Sequence, residues 1–217
     1  MRFDVGLGIA RLTLSRISQA SATQRAGRAG RVRAGTCYHI FTQHEWPGME
    51  PQQTPEIQRA PLAALCLRVA LMQRERAEGA RSQTIRSALD RLPAPPALRA
   101  VNHALRALTG LGALSAEEAL TPLGAVMAAL PTEPRVGKLL VLGCVFKCLE
   151  PALLVAAALS QRSPFTAPSD WDERDRAHAA RAAFDSMSDH IAALRAYRTW
   201  ESLGGGGGGA ARWARAN

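Results

Sequence analysis

The 217-residue chain is poor in lysine and in aromatic side chains: Lys138 and Lys147 are its two lysines, and Phe, Trp and Tyr together make up 5% of it. So few aromatic residues, among abundant alanine, disfavour a sheet sandwich and favour helices. Its four cysteines (Cys37, Cys66, Cys144 and Cys148) have no disulfide-framework spacing, and no secretory leader with an apolar centre precedes them, because Arg11 interrupts the first stretch. The longest apolar run, residues 139–159, is broken by Lys147, Glu150 and Pro151 and is too interrupted for a membrane span. These absences point to a chain in a reducing, intracellular compartment, cytoplasmic or nuclear with an organelle left open, without membrane attachment. At 47% apolar and 21% charged, the composition is that of a globular protein with enough chain for one or two cores.

What the chain has in excess is arginine. The net charge is +9, and residues 1–35 hold seven arginines against one acid, Asp4. The rest of the chain is close to charge balance, so the block of guanidinium groups at one end points to a phosphate-bearing partner there.

The pattern along the chain predicts a mainly α protein. Gly6 and Gly8 mark a turn, 12–14 is a short β-compatible run, and 36–42 (Thr-Cys-Tyr-His-Ile-Phe-Thr) reads as a strand. A Pro/Gln loop at 47–55 is a boundary. Beyond it, Pro61 opens a helix with an apolar stripe at Leu62, Leu65, Cys66, Val69 and Met72. Ile85 and Leu89 mark a short helix, and Leu98, Val101, Leu105 and Leu108 a longer one closed by Gly110 and Gly112. Residues 112–120 suit a short wing or hairpin. Thr121 caps a helix with Pro122 at its first position and Leu123, Val126, Met127 and Leu130 on one face. Helices over 134–148, 151–160, 174–187 and 189–202 follow with short connections, which predicts an antiparallel bundle. The six-glycine tract at 204–209 cannot hold a packed conformation, so a disordered tail is expected over 204–217.

The sharpest feature is Gln24-Arg25-Ala26-Gly27-Arg28-Ala29-Gly30-Arg31. If helical, it places Arg28 and Arg31 on one face with bare glycine backbone beside them, and two rigid guanidinium forks suit the oxygens of a transferring phosphoryl group. A solvated basic helix or a non-specific RNA-binding Arg/Gly segment is the alternative that charge alone allows. The six fixed positions recur by chance only about once in tens of millions of sites. Their spelling resembles motif VI of superfamily 2 helicases in the form found in DEAH-box (DEAH/RHA) RNA helicases. The resemblance continues through Ile17-Ser18-Gln19-Ala20-Ser21-Ala22 and 35–42, Pro55-Glu56-Ile57-Gln58-Arg59, Leu120-Thr121-Pro122-Leu123-Gly124, and Leu130 to Lys138. It extends to Ser188-Asp189-His190 with Tyr197 and Trp200, covering about residues 2–202 in the family's order.

The resemblance implies an organisation and a role. Residues 1–53 are expected to be the C-terminal part of a second RecA-like domain, a residual α/β edge. Residues 54–120 are expected to be a winged helix, 121–203 a truncated helical ratchet domain, and 204–217 the tail. Arg28 and Arg31 would be arginine fingers on the γ-phosphate of ATP, with Gln24, Gly27 and Gly30 completing the nucleotide contact. ATP and Mg2+ would be the cofactors, single-stranded RNA and the N-terminal RecA-like domain the partners, and any protein cofactor is unspecified. Arg16, Arg25 and Arg33 receive no role beyond interdomain or solvated charge, and Arg135 and Lys138 are candidate RNA contacts.

The chain departs from the family's full pattern in lacking a Gly-x-x-x-x-Gly-Lys-Ser/Thr phosphate loop and an Asp-Glu-x-His box to hold the metal. The expectation is therefore an internal piece of a helicase or a truncated gene model, inactive alone. A non-catalytic nucleic-acid-binding or regulatory module is the second reading, and an inert fragment the third. Among lesser features, Cys144 and Cys148 could be half of a metal site but read better as core filling, and His39 and His103 as packing or surface residues. Asp189-His190 reads as a helix cap. Trp171, Trp200 and Trp213 are possible base-stacking residues, with Trp200 better read as core beside Tyr197.

Overall fold

The computed structural model describes all residues except 1, 5, 7, 77–83, 162, 164, 166, 167, 186 and 205–217. The chain is mainly α-helical and divides into two compact units, Met1–Gly110 with Leu114–Ala119, and Leu111–Ala113 with Leu120–Asn217. The expected disordered tail lies, from 205 onward, outside the described residues.

In the first unit, strands β1 (Arg2–Asp4) and β2 (Ile9–Arg11) pair antiparallel with Phe3 opposite Ala10. The turn between them uses Gly8 in the left-handed region (φ 65°), where glycine has no Cβ penalty, and the Asp4 carboxylate accepts the Gly6 N–H at 3.0 Å. The β-compatible run at 12–14 is not a strand; pairing is confined to 9–11, just before it.

Residues 36–42 also depart from the strand expectation. An isolated strand leaves its N–H and C=O groups without partners, and no neighbouring strand is among the described residues. The segment instead curls locally. Glu45 Oε2 accepts from the Thr42 N–H and hydroxyl at 2.8 and 3.0 Å, and Phe41 packs between His39 and Trp46 with centroids at 4.7 and 5.9 Å.

Helices α1 (Gln19–Ala26), α2 (Ala63–Arg76), α3 (Ile85–Asp90) and α4 (Leu98–Gly110) complete the unit. Helix α4 buries Val101, Ala104, Leu105 and Leu108, an i, i+3, i+4, i+7 stripe, and packs against α2; α3 packs on α2 through Ile85 and Leu89. On α2 the buried face is offset from the expected stripe. Leu62, Cys66, Leu67 and Ala70 are buried, while Leu65 and Met72 are exposed. Apart from Arg68, residues 63–72 are all apolar, so spacing alone could not choose which of them faces α4. The His103 ring meets Phe3 edge-on at 5.7 Å, so its role is packing of the hairpin on α4.

The second unit contains α5 (Pro122–Ala129), α6 (Pro134–Val145), α7 (Leu149–Ser160), α8 (Trp171–Ala182) and α9 (Asp189–Ser202). As expected, Thr121 caps α5, its hydroxyl accepting the Gly124 N–H at 2.9 Å with Pro122 at the first position. Met127 is buried, but Val126 is exposed. Helix α6 packs on α5 and α7, and α7 on α9, around small side chains: Ala152, Ala156, Ala192 and Ala196 are buried beside Leu194. Gly143 permits the closeness of α6 and α7, because a Cβ there would lie 2.7 Å from the Ala152 Cβ. Helix α8 begins three residues earlier than expected because Asp170 caps it, accepting the Glu173 N–H at 3.3 Å. The cap of α9 is Ser188, accepting from Ile191 at 3.4 Å; Asp189 is the first helical residue and pairs with Arg181 at 2.6 Å. Trp200 is half-buried beside Tyr197, their rings 5.7 Å apart. No helix among the described residues is long and apolar enough to cross a membrane.

Candidate functional site

The arginine-rich segment is built on α1. Ser18, buried to 5% exposure, opens the helix by accepting the Ser21 N–H at 3.2 Å. The amides of Gln19 and Ala20 donate to the carbonyls of Glu50 and Pro51 at 2.9 and 3.1 Å, and Gln19 Nε2 donates to the Trp46 carbonyl at 2.8 Å. The helix is thus anchored at its N-terminal turn and through buried Ala22, and its C-terminal end carries the charged motif.

Gln24 is exposed on the last turn of α1, and Gly27 is the C-cap. Arg28 and Ala29 donate to the carbonyls of Arg25 and Ala26 at 3.0 Å each, so the backbone tightens to i to i−3 bonding as the helix ends. Gly30 then reverses the chain with φ 85°, and Gly35 folds back so closely that a Cβ there would be 3.1 Å from the Gly30 nitrogen. Arg28 and Arg31 accordingly stand on a turn after the helix. They do not share one helical face, as continuous helix would have required. The helix stops because glycine at 27 and 30 weakens it and the left-handed Gly30 cannot continue it.

Gln24, Gly27, Arg28, Gly30 and Arg31 are all exposed, and among the described residues neither arginine side chain has a hydrogen-bond or ion-pair partner. The two glycines differ. A Cβ at 27 would meet its nearest atom at an ordinary 3.5 Å, and a Cβ at 30 would meet nothing within 4 Å. The fold needs glycine at 30 for its backbone conformation, whereas at 27 nothing among the described residues requires it. Two unpaired forks beside open backbone suit the binding of an anion delivered from outside this segment.

Of the arginines without an assigned role, Arg16 pairs with Glu45 at 3.3 Å across the rim of a cleft of about 290 Å³ lined by Ile17, Ile40, Phe41 and Met49. The Thr42 N–H, then its hydroxyl, and more weakly Arg16 hold the Glu45 carboxyl below its ordinary range. Arg135 is exposed and Lys138 half-buried on the first turns of α6. Trp171 is exposed, with the Arg174 guanidinium 5.4 Å from its ring centre. Among the described residues no three His, Cys, Asp or Glu side chains gather as a metal site.

Sequence reasoning missed one polar cluster. Arg86 donates through Nε and Nη2 to Glu118 Oε1 at 3.0 and 2.7 Å, and through Nη1 to Asn102 Oδ1. It fastens α3 to α4 and to the turn closed by the Ser115 N–H on the Ala119 carbonyl at 2.8 Å. The partners lie 32 and 16 residues from Arg86, and no local pattern announces such a pairing.

Comparison with known proteins identifies the segments. Residues 104–132 match the helicase-associated domain (HA2), winged-helix, and residues 133–193 match the helicase-associated domain (HA2), ratchet-like. Among similar proteins, DHX57 of Mus musculus is 43% identical over 202 residues, 92% of this chain and 14% of that protein. The chain carries both HA2 segments, and its homologues over most of its length are DExH/DEAH-box helicases. The DExH-box ATP-dependent RNA helicase DExH1 of Arabidopsis thaliana is 42% identical over 94% of this chain and 20% of its own length. The ATP-dependent DNA/RNA helicase DHX36 of Homo sapiens is 39% identical over 92% of this chain and 19% of its own. The chain therefore spans a fifth or less of the length of these relatives.

Proposed function

We propose that this chain is the part of an ATP-dependent RNA helicase that meets the nucleotide with Arg28 and Arg31 and carries the winged-helix and ratchet elements that accompany RNA. The observation that carries the reading is the pair of exposed, partnerless guanidinium groups on the Gly30 turn, within a sequence 43% identical to DHX57 over 92% of the chain. In this reading 1–53 belongs to the second RecA-like domain, 54–120 is the winged helix, 121–203 the ratchet and 204–217 the tail.

ATP supplies the phosphoanhydride bond when bound. Arg28 and Arg31 orient its γ-phosphate and neutralise the charge that develops there in the transition state, a role worth several orders of magnitude in rate. Gln24 lies one helical turn before Arg28 and arranges the attacking water; Gly27 and Gly30 leave the backbone open to the phosphates. The described residues fit one side of a triphosphate and offer no carboxylate set for Mg2+, so the metal's ligands are assigned to the N-terminal RecA-like partner domain. RNA is held mainly through its backbone, with Arg135 and Lys138 as contacts, and the protein works inside the cell, in cytoplasm, nucleus or an organelle.

The test uses a full-length helicase carrying this sequence. Arg28→Ala and Arg31→Ala each reduce RNA-stimulated ATP turnover by a hundredfold or more, about 3 kcal/mol or more in the barrier, while RNA affinity at fixed salt is retained. Lysine at either position does not restore the rate, because it keeps the charge and loses the planar fork. Unchanged turnover in both alanine variants overturns the finger assignment. The isolated 217-residue chain is expected to have no ATPase activity, and measurable turnover by it contradicts the division of labour with a partner domain. Should the finger variants leave turnover intact while the isolated chain binds RNA with the usual fall in affinity at high salt, the non-catalytic binding module is the better reading.

A further inference from the structure

The cysteines fall into three environments. Cys66 is fully buried on α2, where burial pushes its thiol up to about 11, and Cys37 is exposed without another cysteine near it in sequence. Cys144 and Cys148 are both exposed at one structural corner, the junction of α6 and α7, and the expectation that they fill the core fails.

The corner has a defined backbone. After α6 ends, Lys147 adopts the left-handed conformation with φ 57°, although it is not glycine. Its N–H donates to the Cys144 carbonyl at 3.2 Å, and the Cys148 N–H donates five residues back to the Gly143 carbonyl at 2.8 Å. These two bonds are the Schellman closure of a helix, with Cys144 two positions inside the end and Cys148 two beyond the cap. The reversal brings residue 148 back across the last turn, against the backbone of Gly143, the residue before Cys144. The Cys148 carbonyl lies 3.5 Å from where a Cβ on Gly143 would be, an independent measure of the same closeness. Packing of α6 on α7, made possible by Gly143 against Ala152, holds both sides of the corner in place. Two exposed cysteines, four residues apart, stand on either side of this closure, and the backbone bonds that fold the chain back there bring the second toward the first.

We propose that Cys144 and Cys148 form a dithiol modification site that closes to a disulfide by exchange with a small-molecule disulfide of the oxidised glutathione class. One thiol loses its proton and attacks a sulfur of the oxidant, forming a protein–glutathione mixed disulfide and releasing one glutathione thiolate. The second thiol loses its proton and attacks the protein sulfur of that mixed disulfide, forming the Cys144–Cys148 bond and expelling the second glutathione. The two protein thiols are oxidised, and the oxidant is reduced to two thiols. Cys37, without a resolving partner, stops at the mixed disulfide, and Cys66 does not react while the chain is folded.

The full chain is incubated with oxidised glutathione, quenched with acid and a maleimide, and digested with trypsin. Cleavage after Lys138 and Lys147 puts Cys144 and Cys148 on separate peptides, so their disulfide is read as a cross-linked pair by mass spectrometry. The expected result is that cross-linked pair from the wild type, with glutathione retained on Cys37. In Cys144→Ser and Cys148→Ser, whose side chains are exposed and whose folding is checked by circular dichroism, the remaining thiol keeps its glutathione. Separate glutathione adducts on both cysteines of the wild type, unreacted thiols at both, or a cross-link found only in covalent dimers on a non-reducing gel overturn the proposal. The wild-type arm decides it without any variant.

Discussion

Gly124 sits against the Ala113 carbonyl so closely that a β-carbon at 124 would lie 2.0 Å from that oxygen. The contact is backbone on backbone and cannot be relieved by a side-chain rotation. Thr121 reinforces it: its hydroxyl donates to the Gly112 carbonyl at 2.7 Å and accepts the Gly124 N–H at 2.9 Å. Gly124→Ala is expected to destabilise the chain by roughly 3 kcal/mol or more, since overpacking against rigid backbone exceeds the usual range for side-chain crowding. Thr121→Val, which keeps the shape and loses the cap, costs about 1 kcal/mol. Urea unfolding of both variants checks the order; a Gly124→Ala midpoint equal to wild type contradicts the contact.

The Arg86–Glu118 pair ties a turn to two helices while holding Glu118 at φ 64°. Arg86→Ala should cost on the order of 1 kcal/mol, as the side chains are 41% and 23% exposed and solvent screens the pair. Glu118→Gly loses the same ion pair but relieves the left-handed strain, so it is expected to be milder than Glu118→Ala. Denaturant midpoints of the three variants give the ranking, and raising the salt should narrow the gap between wild type and Arg86→Ala.

The two glycines of the arginine-rich turn separate stability from function. Gly27 has φ −66°, open to any residue, so Gly27→Ala leaves the unfolding midpoint unchanged or slightly higher. Gly30→Ala forces a Cβ into the left-handed region and costs about 1 kcal/mol. In a full-length helicase, lost turnover in Gly27→Ala at unchanged stability would mark close approach of the nucleotide, whereas a Gly30→Ala defect mixes both effects.

Asp185 governs part of the acid stability. Its carboxylate accepts the Met187 and Ser188 N–H groups at 2.8 and 2.9 Å and pairs with Arg195 at 3.0 Å. The two backbone donors, and then Arg195, hold its pKa below the ordinary 3.8. A carboxyl lowered on folding contributes stability that is fully present above 3.8 and is lost as pH falls through the lower folded value. Asp185→Asn should therefore flatten the loss of stability between neutral pH and that acidic window, which thermal melts across pH will read. Equal slopes for both proteins would remove Asp185 from the account.

Much of this chain could be read from local chemistry. The Thr121-Pro122 cap and the stripe of α4 follow from hydrogen-bonding capacity and helical period, and the helix α9 falls on the expected 189–202. The arginine–glycine spelling of 24–31 marked the candidate site proposed above, because phosphate recognition would need guanidinium forks and open backbone close together in sequence. What the residues did not announce depended on neighbours far along the chain. Strand character at 36–42 required a paired edge that the described residues do not offer, so Phe41 stacks with Trp46 instead. The buried face of α2 was chosen by α4, whereas the end of α1 at Gly27 is a local effect of the reversal three residues on at Gly30. Arg86 found Glu118 across 32 residues. By itself the sequence determined where α5, α6 and α9 start, where the charge gathers and which family the chain resembles, since these rest on bonds and spacings within a few residues. Only the tertiary structure decided which apolar face is buried, which arginines stay unpaired, and that Cys144 and Cys148 share an exposed corner. Burial and pairing belong to surfaces that exist only once distant segments have met.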